Sequence, residues 1–264
     1  MILFLYPEGK KRAVTFSYDD GRIDDRRLVE MLNHYRLKGT FHLNAGKLDT
    51  PGFVTKSELK DLYMGHEVSA HSLNHPFLNQ LCKADLINEI LEDRRQLEKL
   101  NHSIVRGMSY PYGKYSDEII DTVQTLGIEY SRTVDNTGNY YLPDDFMKWD
   151  PTCHHNQLNQ EVIDKFLFAP VYRRCYLLYI WGHSFEFQKN DNWEFMETMC
   201  ELLADKKDVW YATNIEIKDY LSATRNLVAS VDRTTIYNPT CQKIWIETEN
   251  EIKVLMPNET WTYK

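Results

Sequence analysis

Cysteine is scarce in this chain and poorly placed for chemistry. Five occur in 264 residues, at Cys82, Cys153, Cys175, Cys200 and Cys241, and no two are spaced as Cys-x-x-Cys. The odd count and wide spacing argue against both a cysteine zinc site and a disulfide framework, and favour a reducing compartment. Basic charge is also in deficit. Lys and Arg number 31 against 39 Asp and Glu, so the net charge of −8 gives no nucleic-acid-binding footprint. No apolar run is long enough to span a bilayer. The first seven residues are apolar only briefly, and Lys10, Lys11 and Arg12 follow the apolar part instead of preceding it. That order is not a signal peptide, and a cytoplasmic location is expected. Internal repeats and low-complexity segments are lacking as well.

What is present is an ordinary globular composition, 42% hydrophobic and 27% charged, in a length that suits one α/β barrel or two small domains. The 17 Tyr and 6 Trp suit either a sugar-binding cleft or a core, and composition does not separate the two. Strand and helix patterns alternate about eight times up to residue 222. Strands are expected at 13–16, 40–44, 66–70, 105–110, 129–134, 146–150, 176–181 and 209–212. Helices are expected at 24–35, 56–64, 84–100, 116–126, 159–168, 193–203 and 214–222. Expected caps are Asp24, Thr55 or Ser57, Ser116 and Asn214. Such alternation predicts a parallel βα architecture, open or barrel-shaped, with ligands at the C-terminal strand ends. After Asn226 the texture changes to short strands and polar turns. The expected division is therefore a barrel over 1–222 and a small β extension over 223–264 packed on it.

The chemistry-bearing residues all follow strand candidates. Asp19-Asp20-Gly21 ends the first strand, and two adjacent carboxylates need a cation or a shared proton between them. His71-Ser72-Leu73-Asn74-His75 follows the third strand; four-residue spacing presents two imidazoles to one point on a helical turn. Two His and one carboxylate are a ligand set for catalytic zinc and for other first-row metals. Asp20, His71 and His75 are accordingly the expected ligands of one divalent ion, zinc first, with cobalt or nickel as alternatives, and Asp19 is left free as a base. His183 also stands at a strand end, where a catalytic His is expected. Ser109-Tyr110-Pro111-Tyr112-Gly113 reads either as a plain turn or as a turn that aims a backbone N–H into the site. His154 and His155 are read as loop or groove-lining residues and not as ligands, His42 as a buried hydrogen-bonded histidine. Glu67 is read as a ligand-orienting or a solvent-facing carboxylate, Glu186 as a site acid or a structural partner.

Taken in order, Thr15-Phe16 leading to Asp19-Asp20-Gly21, then His71-Ser72-x-x-His75, Tyr110-Pro111-Tyr112-Gly113 and the strand-end His183 resemble the polysaccharide deacetylases of carbohydrate esterase family 4, the NodB-homology domain. The resemblance spans roughly residues 10–220 and implies a distorted (β/α)7–8 barrel. By position, it implies that Asp19 is the base, that Asp20, His71 and His75 hold the metal, and that the Tyr112 N–H helps hold an oxyanion. It further implies that Trp149 lines the groove wall and that His183 protonates the leaving group. The implied activity is removal of acetyl groups from an acetylated sugar, oligosaccharide or polysaccharide.

Two departures stand out. Ser109 occupies the place of the family's base-orienting Arg, for which Arg132 or Arg106 is the expected substitute. Ser17-Tyr18 is inserted between Phe16 and the acids. The competing readings are hydrolysis of another C–N bond in a small or cyclic amide, and a carbohydrate-binding protein without catalysis.

Overall fold

The computed structural model describes residues 3–171, 175–249 and 251–263. The chain begins with the short strand Leu3–Leu5 (β1) and enters Arg12–Asp20 (β2), buried at every residue but the last. There follow in alternation Asp25–His34 (α1), Gly39–Leu43 (β3), the single turn Leu59–Leu62 (α2), Glu67–Ala70 (β4), Lys83–Asn101 (α3), Gly107–Ser109 (β5), Asp117–Thr125 (α4) and Tyr130–Arg132 (β6). After an irregular stretch come Cys153–His154 (β7), Gln160–Phe168 (α5), Tyr176–Gly182 (β8), Phe185–Lys189 (α6), Trp193–Leu203 (α7), Val209–Tyr211 (β9) and Asn214–Arg225 (α8).

Every pairing in this sheet is parallel, in the order β6-β5-β4-β3-β2-β8-β7. β8 runs along residues 12–18 of β2, and the opposite edge of β2 is shared: β9 takes residues 12–14 and β3 takes 16–20. β2 is thus central. Its Val14, Phe16 and Tyr18 enter the main apolar core, with Leu28 and Leu32 of α1 and Met196 and Cys200 of α7. Its Ser17 and Asp19 point the other way, by the two-residue alternation of a strand. The sheet curls. Trp149 N–H donates to Ser131 and Thr152 N–H to Tyr179, so residues 149–154 carry the wall from β6 to β8. The result is the expected distorted (β/α) barrel.

Local expectations differ from the structure where capping and tertiary pairing decide. Residues 146–150 are a 3-10 turn over Phe146–Lys148, with Asp145 capping it, and not a full strand; the strand that pairs β8 lies three residues later. Asp24 stands at the start of α1 without a side-chain cap bond, whereas Ser116 does cap α4 through the Ile119 N–H. α8 is capped by Thr213, not Asn214, in a reciprocal box with Glu216. The helix expected at 56–64 shrinks to one turn, without a cap bond from Thr55 or Ser57.

The C-terminal segment contributes Val228–Ala229 (β10), Thr235–Tyr237 (β11), Ile244–Glu247 (β12), Ile252–Leu255 (β13) and Thr260–Thr262 (β14). They form two antiparallel three-stranded sheets, β10-β11-β14 and β1-β12-β13. The N-terminal strand therefore pairs with the C-terminal extension. Tyr220 of α8 locks this junction, donating to the Leu5 carbonyl (2.6 Å) and accepting from the Trp245 N–H (3.1 Å). Among the described residues no helix is long and apolar enough to cross a membrane.

Candidate active site

The sheet delivers its polar residues to the C-terminal ends of β2, β4, β5, β6 and β8. Asp20 Oδ1 lies 3.8 Å from His71 Nε2 and 3.7 Å from His75 Nε2, and one ligand atom of each residue lies within 4.8 Å of the others. Oδ1 of Asp20 is shielded from solvent and has no hydrogen-bond partner. Burial holds both imidazoles below their ordinary pKa, so both are neutral near pH 7 and offer lone pairs. Two donors on one tetrahedral zinc, each about 2.1 Å away, are about 3.4 Å apart. The two Asp20–His separations fit a first-row divalent ion with a contraction of a few tenths of an ångström.

These residues do not sit on a helical turn. Residues 71–77 form an irregular loop, and Asp20, Ser72 and His75 all adopt left-handed backbone (φ 82°, 63° and 62°). Each such residue costs about 1–3 kcal/mol and persists only where its surroundings hold it. The hold is visible. Asn44 Nδ2 donates to the carbonyls of His71 and Ser72 (2.6 and 2.8 Å). Buried Asp93 of α3 accepts the N–H groups of Ala45 and His71 (2.7 and 3.0 Å). The ring of His71 is oriented by its Nδ1, 2.9 Å from the Ser109 carbonyl, which leaves Nε2 facing Asp20. Asp93 was not expected from the sequence. Its signal is a charge on the apolar stripe of α3, in register with Leu86, Ile90 and Leu97.

Asp19 is buried and held at both oxygens. Arg132 Nη2 pairs with Oδ2, and Ser109 Oγ donates to Oδ1 at 2.9 Å. The guanidinium is itself fixed by Ser17 Oγ (3.0 Å), the Thr133 carbonyl (2.7 Å) and the face of Trp181 (4.5 Å). Burial pushes the Asp19 carboxyl up, but Arg132, His71 and His42 outweigh it and hold the group well below the usual carboxylate range. Arg132 thus reaches the acid across the curled sheet, from β6, the strand beside that of Ser109. Arg106 does not: it pairs with Glu129 (3.3 Å) and Asp219. Ser17, from the inserted dipeptide, supports this arrangement and contacts His42 Nε2 at 2.9 Å, while Tyr18 packs against Phe41, Phe187 and His155.

His183 lies in the same cleft, its Nδ1 3.1 Å from Glu186 Oε1. Burial lowers its pKa, yet the bond to Glu186 and the charges of Asp19 and Asp20 raise it on balance. Glu186 also meets His155 Nε2 (2.9 Å) and His154 Nε2 (3.3 Å). One ligand atom from each of His154, His183 and Glu186 falls within 4.8 Å, so His154 belongs to a histidine–carboxylate cluster and is more than a loop residue. Tyr112 has left-handed backbone (φ 56°), and its half-exposed ring touches His75 (4.4 Å) and stacks on Phe77 (3.9 Å).

Trp149 departs from the expected groove wall. It is 1% exposed and packs on Tyr130, Phe146 and Tyr179 in a second core cluster, because its backbone bridges β6. It is Trp181 whose ring stands beside His154 and His183 (4.8 and 5.9 Å). Glu67 is neither solvent-facing nor beside the ligands. It accepts from Thr40, Tyr130 and the Ile215 N–H at the opposite end of β4.

Known proteins share both the sequence pattern and the fold of this site. The sequence profile of the polysaccharide deacetylases matches residues 7–131, the stretch that carries Asp19, Asp20, His71, His75 and Tyr112. Over that stretch the chain is similar to the polysaccharide deacetylases. A chitooligosaccharide deacetylase of Sinorhizobium fredii is 27% identical over 120 residues, 44% of this chain and 54% of that protein. A poly-beta-1,6-N-acetyl-D-glucosamine N-deacetylase of Staphylococcus aureus is 24% identical over 169 residues, 53% of this chain and 57% of that protein. The chain spans about half the length of the curated relatives it matches. Solved structures extend the likeness of fold. A Mycobacterium smegmatis protein assigned to the polysaccharide deacetylases superposes with a TM-score of 0.64 at 15% identity, covering 83% of this chain and 93% of that one. The Xyl-CE4 domain of a xylanase from the hindgut metagenome of Trinervitermes trinervoides gives 0.56 at 16% identity, covering 81% and 92%.

Proposed function

We propose that this chain is a metal-dependent hydrolase that removes acetyl groups from an acetylated sugar, oligosaccharide or polysaccharide. The observation that carries the reading is the convergence of Asp20, His71 and His75 on one point, beside an Asp19 clamped by Arg132 and Ser109. A divalent ion held there, zinc first and cobalt or nickel as alternatives, supplies Lewis-acid polarisation of the acetyl carbonyl and lowers the pKa of water.

The chain's own residues do the rest. Asp19, ionised across the neutral range, accepts the proton of the attacking water, and Arg132 and Ser109 fix the direction of its lone pairs. The Tyr112 N–H stabilises the developing oxyanion; one such donor is worth about 3 kcal/mol in other hydrolases. His183, whose bond to Glu186 favours the protonated ring, gives its Nε2 proton to the departing amine or alcohol. An amide depends on that proton more than an ester does, because an amine anion is a very poor leaving group.

The test is acetate release from acetylated chito- and xylo-oligosaccharides. Release should stop on chelation and return with zinc, cobalt or nickel. Binding of the sugar without turnover, in the presence of any of the three ions, would sink the reading. Turnover of small cyclic amides but of no acetylated sugar would replace it with a different C–N hydrolase.

A further inference from the structure

Two cationic side chains on the loops that follow β2 and β3 have no carboxylate beside them. Arg22, two residues beyond Asp20, has its guanidinium over the rings of Phe53 (4.5 Å) and Phe185 (5.3 Å), and its Nε is shielded from solvent without an acceptor. Lys47 has its Nζ 5.7 Å from the same Phe53 ring. Neither meets a carboxylate within 4.0 Å among the described residues, although Arg26 and Lys56, from the neighbouring segments, both do.

Their backbone places both beside the chemistry. Phe185, under Arg22, is 5.4 Å from the ring of His183. Lys47 lies in the loop after β3, and that loop is fastened to the loop carrying His71 and His75 by the Gly46 N–H to the Leu73 carbonyl (3.0 Å). A Cβ on Gly46 would lie 2.6 Å from Asn74 Oδ1, so the two loops touch. A half-buried guanidinium without an anion is costly, and aromatic faces offset that cost only in part. Two such cations converging on one ring at the edge of a cleft need an anion that the chain itself does not supply.

We propose that Arg22 and Lys47 form an anion-recognition pair, with Phe53 as its floor, that selects acetylated sugars carrying a carboxylate or a phosphate near the scissile acetyl group. This rests on the deacetylase reading above and narrows its substrate to an anionic glycan. Carboxylate and phosphate share the chemistry, since a guanidinium fork binds either in two-point fashion.

The experiment compares acetylated oligosaccharides of one length in three forms: neutral, carboxylated and phosphorylated. Wild type should show a KM about tenfold lower for one of the anionic forms than for the neutral one, the form favoured naming the anion, and the advantage should shrink as sodium chloride rises. Arg22→Gln and Lys47→Gln should each raise KM for that form about five- to tenfold, with kcat and neutral-substrate KM unchanged. Lys47→Gln, on a partly exposed side chain, keeps the test open should Arg22→Gln fold poorly. Equal KM for neutral and anionic forms in wild type, or equal losses on both in the variants, overturns the proposal. If no form releases acetate, the deacetylase reading falls first. The pair is then judged by calorimetric binding of the same three sugars, where equal affinities overturn it and an anionic preference lost in both variants sustains it.

Discussion

Asp19 and Asp20 are covalent neighbours under opposite demands. Asp19 is enclosed by donors, with both oxygens occupied, while Asp20 keeps one buried oxygen without a partner. Asp20→Asn should therefore weaken zinc binding at least about tenfold by calorimetry, while Asp19→Asn should retain the ion and lose turnover. Equal metal loss in both would break the division of labour. Arg132 acts through Asp19. Arg132→Ala leaves a buried carboxylate unpaired, a change that costs about 3–5 kcal/mol of stability in comparable pairs. Activity should fall about a hundredfold or more with the metal still bound; wild-type turnover would remove Arg132 from the site. His183 supplies the pH dependence. Its pKa is raised in the fold, so the stability and the protonated acid it contributes are fully present below its ordinary value near 6.5 and are lost as pH rises through the raised value. Glu186→Gln removes the bonded charge and should move the alkaline limb of the kcat profile to lower pH. An unmoved limb would mean that another group donates the proton.

The strands are short, and their register matters more than their length. β5 has three residues, yet it sets Ser109 between Asp19 and His71. It fits because Gly107 admits the Tyr130 ring; a Cβ there would lie 2.1 Å from that ring. Tyr130 cannot swing away, since its hydroxyl is bonded to Glu67 (2.7 Å) and Ser69 (3.2 Å). Gly107→Ala should cost about 1–3 kcal/mol, read from urea midpoints, and should lower kcat by displacing Ser109. A loss of stability without a loss of kcat would show that β5 can shift without carrying its serine. The loop after β4 is the counterpart. It is left irregular, and α3 fixes it from outside through Asp93.

Over the whole molecule, the candidate ligands come from the ends of β2 and β4, elements about fifty residues apart in sequence. An ion bound at that junction binds the folded chain and not the unfolded one. At a hundred times its Kd it adds about 2.7 kcal/mol, or roughly 5–10 °C of melting temperature for a chain of this size. Zinc should raise the midpoint of wild type by that amount and leave Asp20→Asn nearly unchanged. An equal rise in both would place the ion elsewhere. The extension is tied in at the same scale, through β1 against β12 and through the Tyr220 hydroxyl.

Period and punctuation in the sequence were sufficient for the alternating βα order, the long helix α3, the Ser116 cap and the change of texture after Asn226, because those depend on neighbours a few residues away. The strand-end placement of Asp19, Asp20, His71 and His183 was legible for the same reason: each ends or follows a short run with strand character. Contacts between distant segments were not. That Arg132 and not Arg106 reaches Asp19 depends on how the sheet curls to bring the end of β6 opposite the end of β2. Trp149 was misplaced because a bridge to β6 turns its ring inward, and the indole beside His183 is that of Trp181. The loop geometry at His75, the support from Asp93 and the unpaired Arg22 likewise appear only once the sheet has curled. A side chain's sequence neighbours fix its strand and its face, but its partners are fixed by the strands packed beside it.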